Sequence, residues 1–155
     1  MGFTATSIPE EYGGLGLGYL ELCVIAEELG RSLAPTPFSS SVYLASEAVL
    51  NFADDSTKQV YLPALAAGEK IGAFAHTESN TSPTESNIEC SFSDGTLSGT
   101  KIAVVDGDIA GFYIVTAKND SSVGLYLVDA SSDGVDITAQ PVSYTHLRAH
   151  ETTRH

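Results

Sequence analysis

The hydrophobic pattern of this chain changes period once, near residue 70, and that change limits the possible folds more than any other feature. Before it, apolar residues recur at helical spacing. Leu22, Ile25, Ala26 and Leu29 fall at i, i+3, i+4 and i+7, with Glu21 and Glu28 on the other side. Gly30 is placed to end that helix in a left-handed cap. Pro35 and Pro37 break the chain before a second helix, predicted from Ser39 to Phe52, whose face is Val42, Ala45, Val49 and Phe52. Ser56-Thr57-Lys58-Gln59 has the form of a capping box, so a third helix is expected to start there, run toward Pro63 and re-form through Leu65 to Gly68.

From Ile71 the period is two. Ile88, Cys90 and Phe92 alternate with polar residues, and Asp94-Gly95 is a hairpin signal before a short strand at Thr96 to Ser98. Further strands are predicted at Ile102 to Val105, Phe112 to Ala117, Leu125 to Val128 and Val135 to Thr138. Short strands at this spacing predict an antiparallel barrel or sandwich. The fold class is therefore α+β: a helical segment over 1–70, then a β domain over 71–142, with the boundary at Gly68 to Lys70.

Composition narrows the function classes. The chain has 155 residues, 43% of them hydrophobic, enough for a core. Twenty acids against seven bases give a net charge of −13. Such a surface repels nucleic acid and anionic lipid, because it offers no basic patch to release counterions from phosphate. No apolar run approaches the roughly 18 residues of a membrane span. The start, Met1-Gly2-Phe3-Thr4, shows no signal peptide, and Gly2 with Thr6 fits only the loose myristoylation pattern. Cys23 and Cys90 have no metal-ligand spacing and lie in apolar periodic segments, so both are expected as buried thiols in a reducing cytoplasm. Neither a P-loop nor a Rossmann glycine fingerprint is present, which leaves nicotinamide binding without support.

The last thirteen residues, Ser143 to His155, fit neither pattern. They hold three of the four histidines (His146, His150 and His155) and two of the three arginines. His146 and His150 are spaced to share a metal on a helix. The string Ser-Tyr-Thr-His-Leu-Arg-Ala-His-Glu-Thr resembles a translated sequencing-adapter read instead, and it is set aside as a non-native tail.

Three motifs carry a family resemblance: Pro9-Glu10-Glu11-Tyr12-Gly13-Gly14-Leu15-Gly16, then Ala73-Phe74-Ala75-His76-Thr77-Glu78, then Gly99-Thr100-Lys101-Ile102-Ala103-Val104-Val105-Asp106-Gly107. In that order and spacing they resemble the acyl-CoA dehydrogenase family, over residues 1 to 142. The resemblance implies the end of a helical N-terminal domain plus most of a β middle domain, with FAD as cofactor and an acyl-CoA thioester as substrate. It places Phe74, His76 and Thr77 of the second motif, and Ala103, Val104 and Val105 of the third, at the flavin, with the Thr77 hydroxyl toward its pyrimidine ring. His76 itself reads as a packed or hydrogen-bonded strand residue rather than a proton carrier, and Lys101 as a strand-edge lysine covering apolar surface with its stem.

Two departures stand out. The family follows Thr-Glu with Pro and a Gly-Ser-Asp turn, where this chain has Ser79-Asn80-Thr81-Ser82-Pro83-Thr84. The family's Trp and Thr in the third motif are replaced by Ala103 and Val105. No catalytic residue is assigned here, because the family's carboxylate base lies in a C-terminal helical domain. The implied parent is an FAD-dependent acyl-CoA dehydrogenase, a homo- or hetero-tetramer that passes electrons to an electron-transfer flavoprotein. This chain alone is expected to be inactive. A non-catalytic subunit of a heteromeric complex and an acyl-CoA oxidase remain as alternatives.

Overall fold

A computed structural model describes residues 2–79, 84–120 and 122–139. Helix α1 spans Tyr19–Arg31. Its start is closed by the Glu21 carboxylate, which accepts the Gly18 amide at 2.9 Å. The helix runs through Gly30, and the left-handed residue that ends it is Leu33 (φ 49°). Leu22, Ile25 and Leu29 do form its inner face, packed on Phe38, Val42 and Tyr43. Cys23 is exposed, not buried, because it falls outside that stripe.

The second helix has the expected extent but not the expected winding. Ser39–Ser46 is a π-helix, continuing as α2 over Glu47–Phe52. Wider winding frees carbonyls that serine hydroxyls satisfy: Ser46 Oγ donates to the Ser41 carbonyl at 2.9 Å. Helix α3 covers Asp55–Ala67 and passes through Pro63 without a break. Its cap is Asp54, whose carboxylate accepts the Thr57 amide at 2.8 Å, two residues before the serine expected for that role.

The strands are β1 (Gly72–Ala75), β2 (Ser91–Ser93), β3 (Thr96–Ser98), β4 (Phe112–Asn119) and β5 (Ser122–Asp129). They form one sheet centred on β4. β5 pairs antiparallel with β4 along its whole length, whereas β1 pairs parallel with its first half and β2 touches its far end at Ser91 and Lys118, also parallel. The α+β class holds, but the sheet is mixed. The reason is topological: β1 follows helices on one side of the sheet, and the chain returns to β4 by a long crossover, which delivers a parallel neighbour. The β2–β3 hairpin turns on Asp94 and Gly95 as expected, both at positive φ (50° and 78°). Two expected strands are absent. Ile102 to Val104 is irregular chain bent at Ala103 that enters a turn at Val105, and Val135 to Thr138 is irregular chain whose Val135 packs beside Ala73 and Tyr113. The tail from Ser143 lies outside the described residues.

The two faces of the sheet are covered differently. Phe112 and Ile114 of β4 join Ile8, Ala45, Val49, Leu62 and Leu65 in the main core, under the helices. Tyr113 faces the other way, into a smaller cluster with Ala73, Ala110 and Val104. Gly72 is where helix and strand meet most closely: a Cβ there would lie 2.4 Å from the Ala45 Cβ and 2.6 Å from the Phe112 ring. That approach lets the Ser41 hydroxyl accept the Gly72 amide at 3.2 Å.

Candidate functional site

The segment after β1 and the loop 99–107 meet. The Ile102 amide donates to the Thr77 carbonyl at 2.8 Å, which adds one backbone rung beyond the end of the strand. Around that rung the loop is tied down at four further points. Lys101 Nζ pairs with Glu78 Oε1 at 2.5 Å, with both side chains about nine-tenths buried. The Ser40 hydroxyl donates to Asp106 Oδ2 at 2.5 Å, which joins the loop to the π-helix. The Tyr113 hydroxyl donates to the Gly107 carbonyl at 2.6 Å from below. At the loop's start, Gly99 (φ 151°) crosses Cys90 so closely that a Cβ would lie 2.8 Å from the Cys90 Cα.

Between these anchors the loop bridges outward. Ala103 (φ 52°) and Val105 are exposed, the latter at 60%, while Val104 turns inward onto Ala73 and Tyr113. Among the described residues, neither the Thr77 hydroxyl nor the amides of Ala103, Val104 and Val105 have a hydrogen-bond partner. The arrangement is an apolar ledge carrying backbone amides beside a half-buried threonine. That combination suits a flat aromatic ring with a polar edge: the ledge takes the ring face, and the donors take oxygen and nitrogen lone pairs. The donor set therefore fits a flavin.

Of the six residues named from sequence, four come together here: Thr77, Ala103, Val104 and Val105. The other two lie on the opposite face of the chain. Phe74 packs against the helical core, and His76 Nδ1 sits 3.1 Å from Thr116 Oγ1. Lys101 Nζ also donates to that hydroxyl, at 3.0 Å. The Thr116 hydroxyl therefore joins the imidazole of His76 to the ammonium of Lys101.

Lys101 is the clearest departure from expectation. It is no edge lysine: its ammonium reaches Glu78, Thr116 and, at 3.4 Å, the His76 carbonyl. Glu78 also accepts the amides of Glu89 (2.5 Å) and Cys90 (3.1 Å). Burial alone would raise the Glu78 pKa, but the Lys101 bond and the two amides together hold it below the ordinary value of 4.5. Burial raises the Cys90 thiol, which is thereby kept protonated. Sequence reading missed Glu78, Lys101, Thr116, Ser40 and Asp106 as a set. The one available signal was an acid ending one motif and a base inside the other.

Residues 1–69 match the family defined as acyl-CoA dehydrogenase, N-terminal domain. A mitochondrial 2-methylacyl-CoA dehydrogenase of Solanum tuberosum is 34% identical over 156 residues, covering 93% of this chain. The chain belongs to the acyl-CoA dehydrogenase family. The fold agrees. One solved structure, the ChsE4-ChsE5 complex of Mycobacterium tuberculosis, superposes with a TM-score of 0.79 at 29% identity, over 90% of this chain and 38% of that one. Another, an acyl-CoA dehydrogenase from Bacillus anthracis complexed with FAD, gives 0.77 at 30% identity, over 89% and 25%. The chain spans only 37% of the length of the Solanum relative.

Proposed function

We propose that the full-length protein is an FAD-dependent acyl-CoA dehydrogenase, and that this chain supplies the ledge on which the flavin edge rests. The observation that carries this reading is the Ile102–Thr77 rung, which sets Thr77 beside the exposed loop 103–105. FAD, when bound, supplies the acceptor for the hydride that leaves the β-carbon of an acyl thioester. The Thr77 hydroxyl and the amides of Ala103 to Val105 would donate hydrogen bonds to its pyrimidine edge, where negative charge grows on reduction. Val105 and Ala103 would cover the ring and keep water from it. Removal of the α-proton is assigned to a carboxylate of the C-terminal helical domain, which these residues do not include.

The test is the parent protein reconstituted with FAD and given acyl-CoA with an artificial electron acceptor. Acyl-CoA-dependent reduction of the acceptor is expected, and Thr77→Val should weaken FAD binding about tenfold, the loss of one hydrogen bond to a charge-bearing edge. A parent that retains no flavin, or turns over unchanged with Thr77→Val, rejects the reading. A second reading is a non-catalytic subunit of a heteromeric pair. It is favoured by the likeness to the ChsE4-ChsE5 complex and by the small residues at 103 and 105. A neutral residue at the base position of the parent would select it. Tetramer assembly, electron transfer to an electron-transfer flavoprotein and a cytoplasmic site belong to the same proposal. Among the described residues no helix is long and apolar enough to cross a membrane.

A further inference from the structure

We propose that Glu78 and Lys101 are a positioning pair that holds the loop 102–105 in register with Thr77, and so sets the spacing of the donors offered to the flavin; this rests on the flavoenzyme reading above. Lys101 immediately precedes Ile102, and Glu78 immediately follows Thr77. The ion pair therefore sits next to the rung at both of its ends. Any slip of the loop along the Thr77 segment must either break the pair or carry both charges with it.

The pair is also referenced to the rest of the sheet. The ammonium contacts Thr116 of β4 and the His76 carbonyl, and the carboxylate takes the Glu89 and Cys90 amides that lead into β2. All three ammonium protons have acceptors, and both carboxylate oxygens accept bonds. Four segments distant in sequence are thus fixed against one another at a single point. Stability alone does not account for such a device. Taking two charges out of water costs about what their attraction returns, and a pair of apolar side chains of the same volume would hold the interior as well or better. What an apolar pair lacks is direction. A fully bonded ion pair accepts one register and penalises its neighbours, whereas apolar contacts slide at little cost. The ledge needs a fixed register, because a donor displaced by about 1 Å loses most of its value to a bound ring.

The experiment uses the full-length parent with Lys101→Met, Lys101→Arg, Glu78→Gln and Thr116→Val. The first readout is exchange of the Ile102 amide in the flavin-free protein, which needs no cofactor. The others are the FAD dissociation constant and the visible spectrum and midpoint potential of the bound flavin. Lys101→Met should speed Ile102 exchange on the order of 100-fold, as expected when one partner of a buried pair is removed. It should also weaken FAD about tenfold or more and shift the spectrum and potential, with partial recovery in Lys101→Arg. Thr116→Val, which keeps both charges, should move every readout in the same direction by less. The proposal is overturned if a folded Lys101→Met protein keeps Ile102 exchange, FAD affinity and spectrum within twofold of the parent. If Lys101→Met does not fold, unchanged values in both Glu78→Gln and Thr116→Val overturn it equally. A parent that binds no FAD defeats the flavoenzyme reading, while the exchange readout still decides whether the pair sets the register.

Discussion

All three ammonium protons of Lys101 have acceptors inside the protein, and the carboxylate of Glu78 accepts from three donors. Bonds to the charged form favour that form, so the folded-state pKa of Glu78 lies below 4.5 despite burial. A depressed carboxylate stabilises the fold above its unfolded pKa and loses that contribution as pH falls through the folded value. The wild-type chain should therefore lose urea resistance as pH is lowered from about 5 toward 3. Glu78→Gln should be less stable at pH 7 but show a shallower acid dependence over the same window. Parallel curves for the two proteins would show that the pair does not carry this dependence. Thr116 links the same pair to His76, the hydrogen-bonded strand residue that the sequence led one to expect.

At the scale of elements, the fold depends on one close approach, β1 against the π-helix. Winding the first half of that helix wide brings Ser41 and Ala45 down onto Gly72. Side chains larger than hydrogen have no room at that position. Gly72→Ala should destabilise the chain by about 1–3 kcal/mol through overpacking, because its Cβ meets Ala45 and Phe112 at well under contact distance. Thermal or chemical denaturation measures this directly, and a change below about 0.5 kcal/mol would mean that helix and strand separate freely. The three helices and the β2–β3 hairpin were legible because each depends on local signals: a 3.6-residue period, or two turn residues that tolerate positive φ. The π-winding was not, since it has no distinct period over eight residues. Ile102 to Val105 reads as a strand for a related reason. An apolar run carries no mark of whether its residues face a partner strand or project outward as a ledge.

For the whole molecule, the described surface carries several large apolar side chains in the open. Leu20 is 74% exposed, Val24 58% and Phe52 75%, and Leu20 and Val24 are four residues apart on the outer side of α1. Contiguous exposed apolar surface favours association. The 155-residue chain should aggregate on warming, and Leu20→Glu with Val24→Glu should reduce the sedimented fraction without lowering the unfolding midpoint, because neither side chain is part of the core. Equal sedimentation of both proteins would place the sticky surface elsewhere.

The sequence by itself determined the three helices, the β2–β3 hairpin, the α+β class and the family, since each is written in local periodicity or in contiguous motifs. It also led to the expectation that Thr77 and residues 103–105 are neighbours, as the Ile102–Thr77 rung shows. Tertiary structure decided that Thr77 and the loop share a backbone rung, that Phe74 turns toward the helices and His76 toward Thr116, and that Glu78 and Lys101 are partners. Partnership across 23 residues depends on how the crossover returns to the sheet. That path is set by the packing of the whole chain, and no local pattern of charges records it.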